Sequence, residues 1–156
     1  MDENKLLKYS VDYLSKYDSS KKNLEDILRK KIFRLNVSGQ EKKKLINTIE
    51  GIILKLEKNN LISDKRYSIL KISTFSRSGK SKKYIFNYLI KKGIQQSDIK
   101  ENMEIFQENN NDWELQSAKL FAKKKKLLEN NDDYQKKLSK MARAGFSYDI
   151  CKKILG

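Results

Sequence analysis

The sequence predicts an all-α protein of about nine short helices, and three observations carry that prediction. Proline is absent and glycine occupies only six of 156 positions, so few residues would break a helix. Apolar residues recur at three- and four-residue spacing almost from the start, while no alternating run of β-branched and aromatic residues bounded by turn residues is present. Hydrophobic residues make up 38% of the chain, charged residues 35%, and mean hydropathy is −0.78. The apolar surface must therefore be gathered into narrow stripes, which thin helical units can bury.

Leu7, Val11 and Leu14 mark a first helix, with Tyr13 and Tyr17 beside them. Tyr17-Asp18-Ser19-Ser20 ends it and supplies an N-cap for a second, whose inner face is Leu24, Ile27, Leu28, Ile32 and Leu35. Ser38 and Glu41 have the spacing of a capping box, opening a third helix with the stripe Leu45, Ile49, Ile52, Ile53 and Leu56, closed by Asn59-Asn60. Ser63 and Asp64 open a fourth, with Tyr67, Leu70 and Phe75 inward. After the turn Arg77-Ser78-Gly79-Lys80-Ser81, a fifth helix carries Ile85, Phe86, Leu89 and Ile90, and Gly93 is placed to end it in a left-handed conformation. Ser97 would cap a sixth, bearing Ile99, Met103 and Phe106. Asn111 and Glu114 repeat the capping-box spacing before a seventh with Trp113, Ala118, Phe121 and Ala122. An eighth runs from about Asp132 through Leu138 and Met141 to Gly145, and a ninth holds Ile150, Ile154 and Leu155.

The turns recur. Ser81-Lys82-Lys83-Tyr84-Ile85, then Leu89 to Ile94, then Ser97-Asp98-Ile99 register with Asp133, then Met141 to Phe146, then Ser147 to Ile150, at an offset of 52 with a one-residue slip after the glycine. Ser20 to Leu24 followed by Leu28 to Phe33 fits the same frame at an offset of 61. Three units of about fifty residues, 1–62, 63–110 and 111–156, read as a tandem helical repeat, an architecture that is elongated and offers a long surface to a long partner.

Chemistry is excluded more sharply than it is suggested. Histidine is absent and Cys151 is the single cysteine, so neither a Ser-His-Asp nor a Cys-His arrangement nor a zinc site can be assembled. Cys151 lies among Ile150, Ile154 and Leu155, where a buried thiol is expected. No metal, cofactor or enzymatic activity is expected. Arg77 to Ser81 resembles the tail of a phosphate-binding loop, but the upstream glycine and preceding strand are missing. No stretch approaches the roughly 20 apolar residues that cross a bilayer, and no signal-peptide core opens the chain, so a cytoplasmic protein without a membrane partner is expected. The net charge of +15 attracts polyanions, nucleic acid first among them. Since only five of the 35 basic residues are arginine, an AT-rich genome that inflates lysine would produce much of the same charge.

The ordered motifs carry more. Leu14-Ser15-Lys16-Tyr17-Asp18-Ser19-Ser20-Lys21-Lys22-Asn23-Leu24 is similar to the opening pattern of the RecX family, with Tyr17 in place of a basic residue and Asn23 in place of glutamate. Leu61 to Tyr67 resembles the family's central motif, an apolar pair, an aspartate and an arginine-aromatic pair, here followed by Ser68 instead of alanine. Arg77 to Ser81, Ile85, Leu89 and Lys92-Gly93-Ile94 resemble its most characteristic stretch, with Ser81 replacing a second glycine. Gly145 to Ile150 is similar to its Gly-Phe-Ser signature, so the resemblance spans nearly the whole chain.

The resemblance implies three tandem three-helix repeats in a curved, elongated molecule that binds in the groove of the RecA–single-stranded-DNA filament. It implies inhibition of filament growth, ATPase, strand exchange and co-protease activity, within homologous recombination, DNA repair and the SOS response. The partners expected are the RecA filament and single-stranded DNA, with duplex DNA as an extension, for a monomer. A groove lined by phosphates and acidic patches calls for a continuous basic face. The candidates are Arg66, Arg77, Lys80, Lys82, Lys83, Lys91 and Lys92, and further on Lys123, Lys124, Lys125, Lys126 and Arg143. Trp113, Tyr67, Phe86, Phe121 and Phe146 are expected in the core, whereas Tyr84, Tyr88 and Tyr148 fall off the stripes and are open as stacking contacts. The alternative reading is a stand-alone helix-turn-helix DNA-binding protein.

Overall fold

The computed structural model of the chain describes residues 1–129 and 133–156. It is all-α: ten helices and no strand lie among the described residues. They form two compact units, Met1–Tyr67 and Ser68–Gly156, and the boundary falls inside one helix.

The first unit holds α1 (Glu3–Lys16), α2 (Lys21–Phe33), α3 (Gly39–Ile46), α4 (Ile49–Lys58) and the start of α5 (Asp64–Ser76). Here α2 packs against α1, α3 and α4, and its stripe of Leu24, Leu28 and Ile32 is fully buried. Burying each such side chain contributes about 1.5–3 kcal/mol. The expected third helix is two, α3 and α4. Thr48 donates through Oγ1 to the Leu45 carbonyl at 2.6 Å and its amide bonds the same carbonyl, a tightened turn that interrupts the ladder without glycine or proline. In α1 the buried positions are Leu6 and Ser10, and Val11 is exposed, contrary to the stripe read from sequence.

The second unit holds the rest of α5, then α6 (Lys82–Lys91), α7 (Gln96–Asn109), α8 (Trp113–Lys124), α9 (Tyr134–Arg143) and α10 (Tyr148–Leu155). α6 packs on α7, and α8, α9 and α10 pack on one another around Ala118, Ala122, Leu127, Met141, Phe146 and Cys151. In α5, Ile72 and Ser68 are buried and Leu70 is exposed. The start of the eighth helix expected at Asp132 lies outside the described residues.

Caps explain where these helices begin and end. Ser20, Ser38, Ser81 and Ser147 each accept from the amide three residues on, and Asp133 from that of Gln135. Ser97 does not cap: α7 begins at Gln96, behind Gln95. Glu114 makes no capping box either, because α8 is preceded by Asp112, which makes no side-chain cap. Its carboxylate instead accepts from the Lys82 amide at 2.8 Å, one of the four donors that a helix start leaves without an intrahelical partner. Asp64 does the same for the Lys21 amide, also at 2.8 Å. The residue after the capping serine is thus held by a distant carboxylate in both α2 and α6.

Five turns close alike. Gly79, Gly93 and Gly145 have φ of 85°, 84° and 99°, and the next amide returns to a carbonyl five residues back: Lys80 to Phe75, Ile94 to Leu89 and Phe146 to Met141. Asn60 and Lys126, with φ of 57° and 56°, do so without glycine, through Leu61 to Leu56 and Leu127 to Ala122.

Candidate nucleic-acid interface

The turn between α5 and α6 is fixed from several sides. Ser117 of α8 donates through Oγ to the Lys80 carbonyl at 2.6 Å, and Lys124 reaches the Ser78 carbonyl at 3.3 Å. Ser81 is buried. It accepts from the Tyr84 amide at 3.1 Å and donates to the Ala144 carbonyl at 2.7 Å. A Cβ on Gly79 would meet the Phe121 backbone at 3.4 Å, an ordinary contact, so its positive φ is what calls for glycine there. The outcome is a rigid platform from which Arg77, Lys82 and Lys83 project into solvent and on which Lys80 lies half-buried.

Aromatic rings and ammonium groups interleave beside this turn. Lys80 Nζ stands 4.6 Å from the centre of the Tyr84 ring, Lys71 Nζ 5.9 Å from that of Phe75 and Lys92 Nζ 5.5 Å from that of Tyr88. Phe75 meets Tyr84 and Tyr88 edge-on at 5.5 and 4.8 Å, and the two tyrosines run nearly parallel, 6.4 Å apart and 21° between planes. The same tyrosines, with Lys83, Lys91 and Arg143, line a cleft of about 280 Å³ between α6 and the turn from α9 to α10. Arg77 borders a separate cleft of about 370 Å³ with Phe106 and Trp113.

The fold therefore gathers some candidates and leaves others apart. Lys80, Lys82, Lys83, Lys91, Lys92 and Arg143 cluster about α6, and Lys124 joins them through the turn. Lys123, Lys125 and Lys126 are exposed at the end of α8, where Lys126 takes the left-handed conformation. Arg66 lies in the first unit, and its guanidinium donates to the Asn60 carbonyl at 3.1 Å, bracing the turn between α4 and α5. Among the described residues, none of Arg77, Lys83, Lys91 and Arg143 is in an ion pair. Trp113, Tyr67 and Phe146 are in the core as expected, and Tyr148 is 61% exposed. What sequence reasoning missed is the support: Glu114 reads as the partner of Asn111 in a capping box and Ser117 as an ordinary helix residue, since nothing local says that they face α6.

No group of three or more potential metal-ligating side chains occurs among the described residues, and no described helix is long and apolar enough to cross a membrane. Burial pushes the Cys151 thiol up from its usual pKa, and its Sγ lies 3.7 Å from the Phe146 carbonyl.

No family model matches the chain. It is 26% identical over 154 residues to the regulatory protein RecX of Myxococcus xanthus (strain DK1622), covering 94% of this chain and 81% of that protein. The crystal structure of RecX from Lactobacillus salivarius superposes with a TM-score of 0.70 at 26% identity, over 98% of this chain and 94% of that one. A crystal structure of a regulatory protein RecX gives a TM-score of 0.73 at 23% identity, over 97% and 72%, and speaks for the fold.

Proposed function

Because the chain belongs to the RecX family, we propose that it regulates the RecA recombinase by binding the RecA–single-stranded-DNA filament and inhibiting its growth, ATP hydrolysis, strand exchange and co-protease activity. The observation that carries this reading is the braced turn from Arg77 to Ser81. It presents Arg77, Lys82 and Lys83 to solvent, with Lys124 drawn to it, in the stretch where the family motif is strongest. Cations carried on a turn whose backbone is already braced attract phosphates without a further loss of loop entropy. In this reading the chain is three repeats, 1–62, 63–110 and 111–156, that together follow the filament. The matching caps of Ser20 and Ser81 and the matching closures at Gly93 and Gly145 support that division.

The test is ATP hydrolysis by RecA on single-stranded DNA, titrated with the full chain. Inhibition should appear at stoichiometric amounts, and unchanged hydrolysis would refute the reading. Reversing two charges, Arg77→Glu with Lys80→Glu, should weaken inhibition while circular dichroism shows intact helicity. An unaltered inhibition curve would remove this turn from the contact.

A further inference from the structure

We propose that the cleft between α6 and the turn from α9 to α10 seats one unstacked base of a single nucleic-acid strand against Tyr84 and Tyr88, with the flanking phosphates on Lys83, Lys91 and Arg143. The inference takes its partner strand from the reading above, but its geometry stands separately. On α6, Lys83, Asn87 and Lys91 lie four residues apart and form one polar row about 12 Å long at 1.5 Å per residue. Tyr84 and Tyr88 form the adjacent row, their rings within 21° of parallel, and Arg143 closes the cleft from the end of α9. No carboxylate lines it among the described residues, whereas the neighbouring cavity contains Glu114.

The volume of about 280 Å³ lies near the lower end of small-ligand sites and admits one flat ring system with its sugar. Tyrosine faces take any base, and three cations without ion-pair partners among the described residues take phosphate. In a duplex the base faces are stacked away and cannot meet the rings. Gly145 makes the cleft possible: a Cβ there would run into Ser81 Oγ and stand 3.3 Å from the Lys83 Cβ, so only glycine lets Arg143 come this close to α6.

The experiment compares binding of the full chain to a fluorescent oligothymidylate, to an abasic strand of equal length, to a duplex and to free thymidine monophosphate. The base-bearing strand should bind roughly tenfold more tightly than the abasic one, the worth of one base stacked on an aromatic ring. Tyr84→Ala should abolish that preference and leave abasic binding as it was, while Tyr84→Phe keeps it. Tyr84 is 38% exposed, outside the buried stripe of Ile85 and Leu89. Should helicity nevertheless fall in Tyr84→Ala, Arg143→Gln and Lys83→Gln carry the test. Each should weaken both strands equally and flatten the logarithmic salt slope by about 0.7.

Equal affinity for the two strands, no strand binding, or duplex or free nucleotide bound as well as the strand would overturn the proposal. Inhibition of RecA hydrolysis that survives such a result leaves the regulatory reading standing. Base-dependent strand binding without any effect on RecA would do the reverse.

Discussion

Replacing Gly145 with alanine should destabilise the second unit by roughly 3–4 kcal/mol. Gly145 has φ of +99°, and a side chain at positive φ costs roughly 1–2 kcal/mol. The new Cβ would also displace Ser81 Oγ. That hydroxyl caps α6 at the Tyr84 amide and bonds the Ala144 carbonyl. Losing a cap costs about 1 kcal/mol, and losing the second bond about another. Urea unfolding followed by Trp113 fluorescence reads this directly, because Trp113 is the single tryptophan and is buried in the second unit. In a Ser81→Ala background the hydroxyl is already gone, so Gly145→Ala should cost only the conformational part, roughly 1–2 kcal/mol. Equal costs in the two backgrounds, within about 0.5 kcal/mol, would refute the account of a displaced hydroxyl.

Lys126→Gly should stabilise the chain by roughly 0.5–1 kcal/mol by relieving its left-handed conformation at φ 56°. Asn60→Gly at φ 57° should gain less, since asparagine tolerates that region; urea midpoints at constant slope decide both. Cys151 should resist iodoacetamide in the native chain and react once urea exposes it, because it is fully buried and burial keeps the thiol protonated. Its pKa is raised in the folded state, so the stability tied to the protonated thiol is whole below the pH where an exposed thiol ionises. It is lost as pH rises from there through the buried value. The urea midpoint of the wild type should therefore fall relative to Cys151→Val across that window, and a constant difference would contradict it.

Local chemistry made much of the fold legible. Ser20 and Ser38 are caps because a serine ahead of an apolar stripe has a free amide to bind, although Ser97, read the same way, is not one, and Gly79, Gly93 and Gly145 end or turn the chain because positive φ suits glycine. The inward faces of α1 and α5 were misread for one reason. Ser10 and Ser68 sit in the core, the first donating to the Leu6 carbonyl and the second accepting from Asn102 at 3.1 Å, so their polarity is satisfied where a polar residue reads as outward. The break at Thr48 was invisible because it needs no glycine or proline. At the candidate site the cations were legible one by one, but the meeting of Lys83 and Lys91 with Arg143 depends on a tertiary approach that no local pattern records.

The braced turn also has a timetable. Glu114, which holds the Lys82 amide, and Ala144, whose carbonyl takes the Ser81 hydroxyl, lie 32 and 63 residues further along the chain. At a synthesis rate of roughly 5–20 residues per second, the last of these partners follows Ser81 by roughly 3–13 s. α6 can wind on its own local cap in the meantime, while the cationic turn before it is still unanchored. The surface proposed to meet a phosphate backbone is therefore among the last parts of a nascent molecule to set, complete only after α9 has been made.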